Sequence, residues 1–179
     1  IFDLFWDQKR GVILENISPD GSFSDSFDGR LINPGHGLEA LWFIMDLGVK
    51  LDRKDWIDRA VEMALSIVDK GWDKQHEGIF YFQDAEGHPP QQLEWDQKLW
   101  WVHLEAMICF LKGRELTGSE ACWEWFEKIH NYTWNHFRDK KNDSILNSLI
   151  QRQLIEIQEE EEIEKDIKSL TLIDDNISL

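Results

Sequence analysis

Cysteine, tyrosine and proline are scarce in this chain: two, two and four among 179 residues. Two cysteines, Cys109 and Cys122, cannot build a disulfide framework or a cysteine-rich zinc centre, and a reducing, cytoplasmic setting suits them. Basic residues are also short, 19 against 35 acidic ones, for a formal net charge of −16. Phosphate contacts need a basic face, so the composition argues against general nucleic-acid binding and against an anionic membrane surface. No apolar run approaches the roughly 18–20 residues of a membrane span. The charged, aromatic start IFDLFWDQKR is unlike a signal peptide, and its lack of an initiator Met is expected of a chain that begins inside a longer protein. What is abundant is tryptophan and phenylalanine, ten of each. They suit a large core, and Trp also stacks well on sugar faces.

A second absence divides the chain. Residues 139–179 contain no aromatic residue, Gly, Pro, His or Cys, and carry eleven acidic and five basic side chains. The expected organisation is therefore a folded part over 1–138 and an atypical acidic tail over 139–179. In the tail, Ile150, Leu154, Ile157, Ile163, Ile167 and Leu170 approximate helical spacing, but Glu159–Glu162 places four like charges in the stripe. A partly formed helix over about 144–169 is the expectation, with disordered ends and no function of its own.

The folded part shows four helical patterns. The first runs from Gly35 to about Leu51, with Asn33-Pro34 at its start, where an Asn cap and a first-turn Pro are favoured. The second spans about Lys54 to Trp72, the third about Asp96 to Leu116 ahead of Gly118, and the fourth about Ser119 to Arg138, with Ser119 as its cap. Ile79–Phe82 has strand composition and Asp84–Gly87 is turn-like, so a short β-hairpin or extended excursion is expected between the second and third helices. Gly11–Asn16 reads as another short strand. Gly37-Leu38-Glu39-Ala40 and His103-Leu104-Glu105-Ala106 form a weak internal repeat, 66 residues apart. In each case a densely apolar helix precedes a more polar one. The predicted fold class is all-α, an incomplete (α/α)6 toroid of helical hairpins.

Two stretches could carry chemistry. His36 opens the first helix, and Glu39 lies one turn later on the same side. An imidazole titrates near neutrality and suits proton transfer, and a Glu one turn away could orient it. The plain alternative is a capping or core histidine with Pro-Gly as helix punctuation. A metal site is not expected, because H-x-x-E supplies only two ligands. In the second stretch, Trp101 and Glu105 are four apart and share a helix face, whereas Trp100 and Trp101 diverge by about 100°. An aromatic wall with a carboxylate would gather sugar hydroxyls; core packing is the alternative. His76, His88, His130 and His136 read as structural or solvent-facing. No P-loop, dinucleotide fingerprint or G-x-S-x-G elbow is present.

The blocks GRLINPGHGLEALWF, GWDKQHEGIFYFQDAEG and QLEWDQKLWWVHLEAMICFLKG closely resemble the N-acylglucosamine 2-epimerase family, whose animal branch is also called renin-binding protein. The resemblance runs from about Gly11 to Phe137. It implies an (α/α)6 barrel that interconverts N-acetylglucosamine and N-acetylmannosamine by removing the C2 proton and returning it to the other face. Two histidines act as the acid/base pair. On that resemblance His36 and Glu39 are catalytic, and Arg30, Asn33, Trp100, Trp101, His103 and Glu105 line the sugar site. The resemblance implies no consumed cofactor, ATP or another nucleotide as an effector, a homodimer in full-length members, and a renin-like protease as partner. The late segment that carries the family's second histidine has no counterpart here, so the chain alone is expected to be impaired. A partner-binding fragment without catalysis, or a related aldose–ketose isomerase or cellobiose 2-epimerase, are the alternatives.

Overall fold

The computed structural model describes residues 1–138; the tail and the helix expected in it lie outside the described residues. The described part is predominantly helical. In chain order it contains β1 (Trp6–Asp7), β2 (Val12–Ile13), α1 (Phe27–Arg30), β3 (Leu31–Ile32), α2 (Pro34–Lys50), α3 (Lys54–Gly71), β4 (Gln83–Asp84), α4 (Trp100–Thr117) and α5 (Glu120–His136). None of these helices is long and apolar enough to cross a membrane.

The helix ends follow from local chemistry. Asn33 has extended backbone, and its side-chain oxygen accepts from the His36 N–H, while Pro34 occupies the first turn where its missing N–H costs nothing. Ser119 caps α5 in the same way, accepting from the Cys122 N–H. Between them, Gly118 closes α4 in the left-handed conformation at φ 73°, which favours glycine.

The four long helices form two consecutive hairpins. α2 packs on α3, α4 packs on α5, and α2 and α4 lie against each other between them. α4 is apolar nearly all round, burying Val102, Leu104, Met107, Ile108 and Phe110, as a helix enclosed on several sides must. α5 buries only Cys122, Ile129, Tyr132 and Thr133. α3 is half-way, with a stripe of Ile57, Ala60, Val61, Ala64, Ile67 and Val68 at helical spacing. The contrast between an enclosed and an outer helix is thus clear for α4 and α5, whereas α2 and α3 bury similar shares of their residues.

The internal repeat has a physical meaning. Lys112 donates to Asp46 at 2.6 Å, 66 residues away. The same offset separates Gly35 from Trp101, whose ring lies 2.8 Å from where a Gly35 Cβ would sit. These contacts, near the start and towards the end of both helices, run in the same order. α2 and α4 are therefore parallel neighbours, and equivalent repeat positions meet across them.

Two features differ from the sequence expectation. α4 starts at Trp100, not near Asp96. The preceding residues form turns, with Trp95 and Gln97 donating to the Gln92 and Glu94 carbonyls, and are tied to the excursion, because Phe82 and Tyr81 donate their N–H groups to the Trp95 and Gln97 carbonyls at 3.1 and 3.0 Å. The excursion between α3 and α4 is also more than a local hairpin. Trp72 bridges Ile79, but β4 pairs antiparallel with the distant β3. Gly11–Asn16 contains the short strand β2, paired with β1. Val12, Leu14 and Ile32 form a small apolar cluster there, with Ile17, Phe23 and Ala85 against it.

Candidate active site at the head of two parallel helices

His36 lies in the first turn of α2 with about half of its side chain exposed. Its backbone is set by the Asn33 cap. Its ring lies against Trp101 at the start of α4, with centroids 5.4 Å apart and planes tilted by 32°. Trp101 comes this close because residue 35 is glycine: a Cβ there would sit 2.8–3.0 Å from Trp101 and Val102. Tyr81 packs edge-on against Trp101 from the excursion, at 6.0 Å. His36 Nδ1 is hydrogen-bonded at 3.0 Å to Glu15 Oε2. The carboxylate that holds the imidazole is therefore Glu15, not Glu39 as helix spacing suggested. Nε2 has no hydrogen-bond partner among the described residues.

One turn further along, Trp42 donates its indole N–H to Glu105 at 2.7 Å. Burial pushes the Glu105 carboxyl up; the Trp42 hydrogen bond opposes that shift and the negative charge of Glu39 adds to it. Glu39 and Glu105 are thus electrostatic neighbours, as repeat-equivalent residues on parallel helices. His36, Trp101, Glu39, Trp42 and Glu105 form one continuous strip along α2 and α4. Trp100 is 49% exposed and lies about 100° around the helix from Trp101.

The other expected site residues have structural employment. His103 is fully buried. Its Nε2 accepts from the Ile79 N–H at 3.0 Å, so Nδ1 carries the proton and donates to the Leu99 carbonyl at 2.7 Å. Its ring stacks on Tyr132 at 5.0 Å. Desolvation lowers its pKa to about 4, with the charges of Lys98 and His136 acting in the same direction against the Leu99 hydrogen bond. Neither ring nitrogen is left for a ligand. Arg30 bonds Asp84 at 2.9 Å and Asp25 at 2.7 Å, tying the end of α1 to the end of β4. Asn33 serves as the α2 cap, and its buried Nδ2 has no partner among the described residues. No group of three His, Cys, Asp or Glu side chains among the described residues could hold a metal ion.

Glu15 is the site residue that sequence reasoning missed. It stands 21 residues before His36, outside every motif. The available signal was the strand pattern: Val12 and Leu14 are buried, and Ile13 and Glu15 alternate with them.

Comparison with known proteins bears on this arrangement. The model of the N-acylglucosamine 2-epimerase family matches residues 2–160, past Phe137, where the resemblance was expected to stop. N-acylglucosamine 2-epimerase from Mus musculus is 46% identical over 129 residues, covering 72% of this chain and 31% of that protein. The Homo sapiens protein of the same name is 41% identical over 129 residues, covering 72% and 30%. The chain therefore spans about a third of the length of the curated relatives it matches. Among solved structures, cellobiose 2-epimerase from Bacillus thermoamylovorans B4167 aligns with a TM-score of 0.62 at 21% identity, covering 78% of this chain and 34% of that one. A D-mannose isomerase aligns with a TM-score of 0.59 at 18% identity, covering 74% and 37%. The two structures share the fold, while the family model and the 41–46% identical relatives establish kinship: the chain belongs to the N-acylglucosamine 2-epimerase family.

Proposed function

We propose that this chain carries one side of a sugar 2-epimerase site acting on N-acetylglucosamine and N-acetylmannosamine, with His36 as the base at C2. The observation that carries the reading is the His36 imidazole itself. It is half-exposed, held through Nδ1 by Glu15, and backed by Trp101, with Nε2 unpartnered among the described residues. In the ring-opened sugar the C2 proton lies next to the C1 carbonyl. Nε2 takes that proton, and the electron pair of the C–H bond passes into an enolate across C1 and C2, with the acetamido nitrogen still on C2 and the charge on the C1 oxygen. Return of the proton to the same face restores the starting sugar; return to the opposite face gives the epimer. Trp101 offers an apolar wall for the carbon chain. Glu39 and Glu105 lie one helical turn along the strip, where carboxylates accept hydrogen bonds from sugar hydroxyls.

The two hairpins are read as consecutive units of an (α/α)6 ring, the parallel α2 and α4 being inner helices and α3 and α5 outer ones. The second proton donor has no match in this sequence, so exchange at C2 is the step the His36 site supports by itself. The N-acyl sugar is preferred over a free aldose or cellobiose because the relatives with the higher identity are N-acylglucosamine 2-epimerases.

The test incubates N-acetyl-D-mannosamine with the chain in D2O and follows C2 by NMR. Deuterium at C2, lost in His36→Gln, is the expected result. No label with folded protein, or label that survives His36→Gln, overturns the reading.

A further inference from the structure

We infer that Glu15 is the positioning residue of this site, which fixes the proton on His36 Nδ1 and so leaves Nε2 as the bare base. The inference rests on the reading of His36 as the C2 base and adds what makes its ring competent. A carboxylate accepts and cannot donate, so in the 3.0 Å contact with Glu15 Oε2 the proton sits on Nδ1. A histidine ring in water favours the other neutral tautomer, with the proton on Nε2, and it is the hydrogen bond made by one nitrogen that decides the state of the second. Without Glu15 the nitrogen facing a substrate would carry a proton and could not remove another.

The contact is built from both sides. Glu15 follows β2, and its N–H donates to the Leu31 carbonyl at 3.3 Å. That carbonyl belongs to β3, which leads within two residues into the Asn33 cap and then His36. Leu14 is buried, which turns the Glu15 side chain the other way, on the face shared with Ile13. Ile13 in turn lies 3.9 Å from the Cβ position of Gly37, next to His36. The Glu15 side chain is only 23% exposed. Trp101 limits rotation of the ring from another side. The backbone pairing, the alternation of the strand and the indole together hold one carboxylate against one nitrogen.

The test is the tautomer itself, read in the full chain by long-range 1H–15N correlation after labelling the six histidines. Spectra are taken near pH 9, well above the ordinary imidazole value of about 6.5. His36→Gln assigns the His36 signals, and His103, whose Nδ1–H tautomer is fixed by backbone, reports that the fold is intact. The expected wild-type pattern for His36 is Nδ1–H. Glu15→Met, which has no strong acceptor, should lose that pattern and revert to Nε2–H. Glu15→Gln should keep it, because the amide oxygen still accepts. An Nε2–H pattern in the wild type overturns the inference, as does an Nδ1–H pattern that survives Glu15→Met with the His103 signals unchanged. If Glu15→Met loses the His103 signals, the wild type and Glu15→Gln decide: Nδ1–H in both supports the inference, and Nε2–H in either overturns it. None of these readouts needs turnover. A chain that shows the Nδ1–H ring and no C2 exchange would sink the proposed function and leave standing only that Glu15 fixes the His36 tautomer.

Discussion

The sharpest consequence of the structure concerns His103 and acid. Its ring is fully buried, and desolvation, more than the charges of Lys98 and His136, brings its pKa down from 6.5 to about 4. In the unfolded chain the ring returns to the ordinary value. Between pH 6.5 and about 4 the unfolded state binds a proton that the folded state refuses, so stability rises with pH across that window. The contribution is complete above 6.5 and is lost as the pH falls to about 4. At 1.36 kcal/mol per pKa unit, it amounts to about 3 kcal/mol from this one side chain. His103→Gln removes the titration. At neutral pH the replacement should cost about 1–3 kcal/mol, because it gives up the ring's fixed placement between the Ile79 N–H and the Leu99 carbonyl and its stacking on Tyr132. The assay is urea unfolding followed by tryptophan fluorescence, at pH 7.5 and at pH 4, for both proteins. The stability of wild type minus that of the variant should fall by about 3 kcal/mol on acidification, which brings the variant level with or above the wild type at pH 4. Carboxylates that hydrogen bonds hold down against the upward push of burial, such as Asp84 with Arg30 and Asp73 with the His76 and Gln75 N–H groups, lower the stability of both proteins in acid and cancel in the comparison. A gap that stays the same at both pH values would refute the argument that His103 is buried as a neutral ring.

Three other substitutions probe the site and its supports. Gly35→Ala drives a methyl group to within 3.0 Å of Trp101 and Val102. It should cost about 1–3 kcal/mol in denaturant unfolding, and it should shift the Trp101 emission as the indole leaves His36. Trp42→Phe deletes the hydrogen bond that opposes the upward shift of Glu105. The titration midpoint of Glu105, followed by carboxyl 13C NMR, should move higher still, and an unchanged midpoint would remove Trp42 from the site. Arg30→Leu strips the partner from Asp84, whose side chain is only 3% exposed. Its loss of melting temperature should exceed that of Arg53→Leu, whose partner Asp55 is 64% exposed, and Asp84→Leu in the same chain should recover part of it.

What the sequence disclosed and what it hid divide along sequence separation. The caps at Asn33, Ser119 and Gly118 are contacts within a few residues, and they set the helix ends where the sequence places them. The start of α4 depends on Tyr81 and Phe82 reaching the Gln97 and Trp95 carbonyls, and helical periodicity in 96–99 has no access to that. The pairing of β4 with β3 and the bond from Glu15 to His36 are long-range in the same sense. A carboxylate one turn away on the helix looked like the partner of His36, yet a strand 21 residues earlier supplies it.

His103 is the instructive case, because the sequence held the answer in a form that residue type alone conceals. His36 and His103 both lie in the first turns of parallel helices, and both precede a Leu-Glu-Ala triplet within a few residues. The repeat, however, aligns His103 with Gly37, not with His36: His103-Leu104-Glu105-Ala106 matches Gly37-Leu38-Glu39-Ala40. A shift of one residue is a rotation of about 100° on a helix. Gly37 faces Ile67 on α3, its own hairpin partner, and His103 correspondingly faces Tyr132 on α5, its own. The position that is equivalent to His36 on α4 is Val102, which is buried. Glu39 and Glu105 occupy equivalent places and do fall on the same strip, as the charge of one acting on the other requires. Register within the repeat, more than the chemistry of the side chain, thus separates the half-exposed histidine from the buried one that holds the excursion to the helix.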